Sequence, residues 1–168
     1  MDRIEDKLTA ATRDYSGDQP VVGYATAMGA YGVAVGALAL LGGLTGRRLP
    51  AQLSAGDIAL PTASTHKLSR LLAKDAVASP LRAPGTRFVG VAGTGELHEE
   101  VRGHGAQHSV GELISCPLCL AQWAATAFGI GLVLAPRQTR LVMAVLSAVA
   151  GADFLQYGYA VLQQRAGE

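Results

Sequence analysis

The sequence predicts an all-α fold, a helical integral membrane protein with three or four transmembrane helices in a small bundle. Three observations predict it. The runs Val21–Leu44, Leu113–Ala135 and Leu141–Leu162 are each long and apolar enough to cross a hydrocarbon core of roughly 30 Å. Charged residues make up 16% of the chain, against roughly 25% in soluble globular domains. Glycine is abundant, 21 of 168 residues, and the mean hydropathy is +0.26. Small residues let helices approach closely in lipid, where van der Waals packing replaces the hydrophobic drive.

A chain of 168 residues has room for one domain. Residues 1–20 form a polar N-terminal tail with a short amphipathic pattern (Ile4, Leu8, Ala11), and residues 21–163 form a single membrane domain. The tail mixes acids and bases and lacks the basic start and short apolar core of a signal peptide. Asp18 and Pro20 mark its stop and the restart into the first span.

The first span, 21–44, carries no charge. Gly32-x3-Gly36 and Ala30-x3-Ala34 place small residues on one side of it, a face suited to close helix packing. Arg47, Arg48 and Pro50 end it. Residues 57–74 are a possible further crossing. The uncharged run Ile58–Thr65 is too short to span alone, and His66, Lys67, Arg70 and Lys74 follow it. Those basic groups can snorkel to one end of a spanning helix; an interfacial or re-entrant helix is the alternative. Pro61 would kink the helix or start it. Residues 75–111 read as a polar cytosolic segment, a loop with one short helix near Glu96–Val101. The next span, 113–135, opens on the cysteine pair, with Trp123 two turns in, near the interfacial belt. Pro136-Arg-Gln-Thr139 reads as a tight outer hairpin before the span 141–162.

Lysine and arginine set the orientation. With four spans, one side holds Arg3, Lys7, Arg13, Lys74, Arg82, Arg87, Arg102 and Arg165, and the other holds Arg47, Arg48, Arg137 and Arg140. With three spans, the first side gains Arg47, Arg48, Lys67 and Arg70 and loses the N-terminal three. Either way the central segment, the C-terminus and the cysteine pair are expected on the cytosolic side. A net charge of +1 provides no global field for nucleic acid. The expected partners are the lipid bilayer and, through the small-residue faces, a second copy or another membrane protein.

The chemistry-bearing stretch is Cys116-Pro-Leu-Cys119. A thiol at a helix start sits near unpaired amides and the positive end of the dipole, which favours thiolate. Pro117 suits the first turn, where its missing N–H would be unpaired anyway. This composes a dithiol redox centre, as in the quinone-linked thiol oxidases of membranes, although those work in oxidising compartments. His104-x3-His108 just upstream completes a possible Cys2His2 zinc set, with His98 or His66 as substitutes. That set needs a tight loop through Gly111. The bland reading makes both cysteines small apolar packers and the histidines ordinary interface residues. Asp153 is a carboxylate inside an apolar span, with Gln156 and Tyr157 one turn on. Its candidate basic partners are His66, Lys67 and Arg70, with Asp153–Arg70 or Asp153–His66 the expected contact. It serves either as a structural pair or as a proton or substrate site. There is no phosphate-binding loop: Gly90-Val-Ala-Gly-Thr-Gly95 has no following Lys-Ser/Thr.

The stretches Thr65–Asp75, Pro80-Leu-Arg82 and Gly111-Glu-Leu through Cys116-Pro-Leu-Cys119-Leu-Ala-Gln-Trp123 resemble an uncharacterised family of small bacterial multi-pass membrane proteins, a domain of unknown function. Some of its members are linked by name to sporulation. The resemblance covers roughly residues 21–162 and implies a bacterial cytoplasmic (inner) membrane; it implies no activity. The expected function is a structural or partner-binding module, more a non-enzyme than an enzyme, with a cytosol-facing Cys/His site. The alternative is a thiol-disulfide redox or zinc-binding membrane protein.

Overall fold

The structure is a computed structural model; it describes residues 21–46 and 52–167. The tail 1–20 and the Arg47, Arg48 and Pro50 stop lie outside the described residues. Four long helices dominate: α1 (Val21–Leu44), α2 (Ala55–Ala73), α5 (Pro117–Leu134) and α6 (Pro136–Ala166). Between α2 and α5 lies a cap. It comprises a 3-10 turn (Ala76–Ala78), a short helix α3 (Ser79–Arg82), strands β1 (Thr86–Gly93) and β2 (Glu96–Val101), and helix α4 (Ala106–Ser115).

The described chain is therefore mostly helical with a small sheet, and the cap corrects the expected loop and short helix. Glu96–Val101 is a strand, paired antiparallel with β1 from Thr86↔Val101 to Gly93↔Glu96. Thr86-Arg-Phe-Val-Gly-Val91 is rich in β-formers, and Gly95 at φ +79° supplies the left-handed turn residue. The hairpin is tied to the end of α2 by Leu97 N–H to Lys74 O (2.9 Å) and Ala76 N–H to Gly95 O (2.9 Å).

Arg82 clamps the cap. Its side chain is 1% exposed and that of Glu99 is 7%. Arg82 Nε and Nη2 donate to the Glu99 carboxylate (2.6 and 3.2 Å), and Nη1 donates to Leu72 O and Asp75 O (2.8 and 3.1 Å). One guanidinium thus joins the end of α2, the turn after it and β2. Gly111 lets α4 press on the hairpin: a Cβ there would lie 2.4 Å from Val101 Cγ1 and 2.7 Å from Gly85 O.

Helix boundaries follow local chemistry. Ser54 caps α2 in a reciprocal box with Asp57, Asp57 N–H to Ser54 Oγ at 3.2 Å and Ser54 N–H to Asp57 Oδ2 at 3.1 Å. Pro61 lies inside α2 and does not start it. The expected single helix 113–135 is broken at Cys116, which is extended at φ −99°, ψ 111° because proline follows it. Ala135, also before a proline, alone separates α5 from α6, so Pro136–Thr139 opens a helix and is not an outer hairpin. Gly131 lets that corner close, since a Cβ would meet Thr139 Oγ1 at 2.6 Å.

The contacts set the helix directions. Asp57 meets Arg140, Leu60 O accepts from Ser147 and Lys67 meets Asp153, so α2 and α6 run the same way. Tyr24 meets Glu112, and Tyr31 meets Gln122 and Thr126, so α1 runs with α5. The Ala135 corner makes α5 and α6 antiparallel. The starts of α1 and α5, the end of α2 and the cap thus share one end of the bundle. The expected Gly32/Gly36 packing face meets nothing within 4 Å among the described residues; α1 instead approaches its neighbour at Gly23, against Ser109. Helices α1, α5 and α6 are each long and apolar enough to cross a membrane. Large apolar side chains stand bare along them, Met28 at 75% and Leu155 at 77% exposure among them.

Candidate functional site

Cys116 and Cys119 sit at the α4–α5 break, both as free thiols. Because Cys116 is extended, its side chain turns back over the first turn of α5 and Sγ accepts from the Cys119 N–H at 3.4 Å. Burial pushes the Cys116 thiol up. Hydrogen bonds from the Cys119 side chain and from the Cys119 and Leu118 amides, with the charge of Lys74, outweigh that and leave it below the ordinary thiol value.

Both cysteines line a cleft of about 660 Å³ between α1, α4 and α5. Its walls include Ala27, Met28, Leu113 and Trp123. Tyr31 meets Trp123 edge-on, with ring centroids 5.1 Å apart at 82°. The Tyr31 hydroxyl accepts from Gln122 Nε2 (2.7 Å) and shares a hydrogen bond with Thr126 Oγ1 (2.6 Å). The Tyr24 hydroxyl donates to Glu112. These aromatic and amide partners escaped sequence reasoning, although Tyr24 and Tyr31 lie seven residues apart on one face of α1 and Gln122 and Thr126 lie one turn apart on α5.

The histidines do not join the cysteines. His104 is exposed in the turn before α4, His98 is exposed on β2 opposite Gly90, and His108 Nε2 lies 3.5 Å from Glu112 Oε1. Gly111 lies within α4, not in a loop, so the helix carries His108 roughly 12 Å along its axis from Cys116. Tetrahedral zinc needs its ligands within one coordination shell. Among the described residues, no three His, Cys, Asp or Glu side chains are placed to hold a metal ion. The Cys2His2 arrangement is not formed.

Asp153, Gln156, His66 and Arg70 do come together, around a second cleft of about 610 Å³ between α2, α6 and the hairpin turn. The pairing differs from expectation. Asp153 Oδ2 is 2.9 Å from Lys67 Nζ, which also faces Asp75 at 3.7 Å. Arg70 pairs with Glu96 of β2, and His66 stacks on Phe154 at 5.9 Å. The phase of α2 decides this. Lys67 faces α6, whereas Arg70, almost one turn on, faces the hairpin, an element absent from the sequence reading.

The comparisons with known proteins bear on both clefts. A family model described as a protein of unknown function (DUF1360) matches residues 60–159. The chain belongs to this family. The match takes in most of α2, the cap, the cysteine pair and Asp153; the α1 wall of the cysteine cleft lies outside it. No curated protein and no solved structure matches the chain.

Proposed function

We propose that the chain is a four-pass protein of a bacterial cytoplasmic membrane whose cap and cysteine pair face the cytosol, and that it works as a binding module through the cysteine cleft. One observation carries the functional part: two thiols and a few convergent polar groups (Tyr24, Glu112, Gln122) edge an otherwise apolar cleft of about 660 Å³ between helices. Small-molecule and cofactor sites have that size and make-up. Glu112 and Cys116 lie at the cap end, where a ligand's polar part would remain hydrated while its apolar part enters the bundle. The module needs no turnover; occupancy, and the state of the thiols, are its output.

The four-pass reading rests on the apolar length of α1, α5 and α6 and on α2 lying alongside α6 in the same direction. It places Lys74, Arg82, Arg87, Arg102 and Arg165 on the cap side and Arg137 and Arg140 opposite, as the bias of basic residues toward the cytosol requires. A thiol-redox reading is favoured by the N-cap position of Cys116, and makes the module responsive to oxidation.

Labelling of intact cells tests the placement. In a Cys116→Ser/Cys119→Ser background, a cysteine at Thr94 is expected to react with a membrane-impermeant maleimide only after permeabilisation, and one at Gln138 before it. The reverse pattern, or release of the protein from membranes without detergent, overturns the reading.

A further inference from the structure

We propose that the ligand of the cysteine cleft is a lipid-soluble quinone, and that Cys116 and Cys119 are its two-electron donor. This rests on the reading of that cleft as the functional site, and names its ligand.

Several features converge. The two thiols belong to one helical turn, and the Cys119 N–H already lies 3.4 Å from Cys116 Sγ. Such a pair can close an intramolecular disulfide without moving a helix. The thiols open into the cleft, not onto bulk water alone. The rest of the lining is aromatic and apolar: Met28, Leu113, Tyr31 and Trp123. A flat ring fits against aromatic faces. A ring bearing carbonyls also finds a donor there, in the second N–H of the Gln122 amide, whose first is held by the Tyr31 hydroxyl. The flanking helices α1 and α5 are apolar along their outer faces, so a ligand reaching the cleft from lipid needs no aqueous route. An acyl chain would satisfy the walls but leave the two thiols without a chemical role.

The chemistry balances. Two S–H bonds break and one S–S bond forms between Cys116 and Cys119. The two electrons and two protons released convert the two quinone carbonyls to the hydroxyls of a quinol. Cys116, the better thiolate, engages the quinone, and the single electron pair passes to the ring as the Cys119 sulfur attacks Cys116 Sγ and closes the disulfide. Cytosolic dithiols on the cap side regenerate the pair by thiol–disulfide exchange. The module thereby reports how oxidised the membrane quinone pool is.

The test uses the full chain in detergent micelles under anaerobic conditions. Decylubiquinone serves as probe, because its fully substituted ring does not take thiol addition. Expected are one quinol per chain, the loss of two titratable thiols, a mass lower by two hydrogens, and a rate that saturates with quinone. Cys116→Ser and Cys119→Ser each abolish quinol formation. Met28→Trp, which fills the cleft, slows it at least tenfold while dithiodipyridine still oxidises the pair at the parent rate; circular dichroism verifies the fold of each variant. The proposal is overturned if decylubiquinone leaves both thiols free, or if the rate neither saturates nor responds to Met28→Trp. Saturable stabilisation by decylubiquinone without thiol loss overturns the electron transfer but retains the binding cleft. If dithiodipyridine yields only mixed disulfides, the pair cannot close and the thiol reading itself fails.

Discussion

Replacing Arg82 by methionine should unfold the cap and leave the bundle standing. Methionine keeps an unbranched apolar stem but removes the charge, leaving Glu99 7% exposed with no cationic partner, and the carbonyls of Leu72 and Asp75 without their donor. Removing one member of a buried ion pair costs about 3–5 kcal/mol. An isolated two-stranded hairpin is marginal at best, so it cannot absorb such a loss. Arg82 bonds to the long helices at Leu72 O, in the last turn of α2, and leaves the rest of the bundle untouched. The assay is hydrogen exchange read by mass spectrometry in micelles. Protection across β1 and β2 should fall by roughly a hundred- to several-thousand-fold, at 1.36 kcal/mol per decade, or to the rate of unstructured chain. Protection in α5 and α6 should hold. The double variant Arg82→Met/Glu99→Leu should regain much of the loss, because replacing both partners leaves no stranded charge. Unchanged hairpin protection in the single variant, or an equal loss through α5, would refute the clamp.

Three further outcomes follow from the same contacts. Gly111→Ala should lower the unfolding midpoint in detergent, since the new Cβ would meet Val101 and the Gly85 carbonyl oxygen, an overpacking that costs about 1–3 kcal/mol; Gly36→Ala, facing open space, should not. Asp153→Asn should weaken the packing of α2 on α6, and Lys67→Met/Asp153→Leu should restore more than either change alone, as read by thermal unfolding in detergent. The Cys116 thiol lies below its ordinary value, so its thiolate persists to lower pH. Site-resolved alkylation rates should rise with pH through an inflection below that of a free cysteine, about 8.5, and Lys74→Gln should move that inflection up.

What was legible in the sequence depended on whether the signal was local. Span α1 could be read from 24 uncharged residues because length and apolarity alone define it. The thiols could be placed at a helix start because Pro117 follows Cys116 directly. The same proline also implies the break between α4 and α5, since the residue before a proline leaves helical geometry; the apolar run on either side hid it. The hairpin was not legible, because neither strand keeps a clean alternation: β1 is an apolar run broken by Gly90, β2 runs Glu-Leu-His-Glu-Glu-Val, and much of the ribbon is bare, with Phe88 and Val91 exposed. Missing the hairpin also misassigned Arg70, whose partner Glu96 belongs to β2. The zinc set failed for a related reason: spacing along the chain became distance in space once Gly111 proved helical.

Helix α2 shows why a hydropathy reading stops short of this bundle. It carries Asp57, Lys67 and Arg70, and no apolar window reaches its full length, yet it packs between α5 and α6. Its buried residues are Ser64, Ser69 and Ala73, small groups that let neighbouring backbones close in, and the Ser64 hydroxyl returns its proton to Leu60 O at 2.9 Å. Lys67 is neutralised by Asp153 from α6. A helix enclosed by two apolar neighbours meets protein more than lipid, so it can cross without being apolar, provided its polar groups are satisfied within the bundle. If α5 and α6 cross, α2 is carried into the membrane with them from Asp57, level with Arg140, to Lys67, level with Asp153. Its charges then lie where they bind neighbouring helices and the cap, and the crossing number follows from packing, not from the hydropathy of α2 itself.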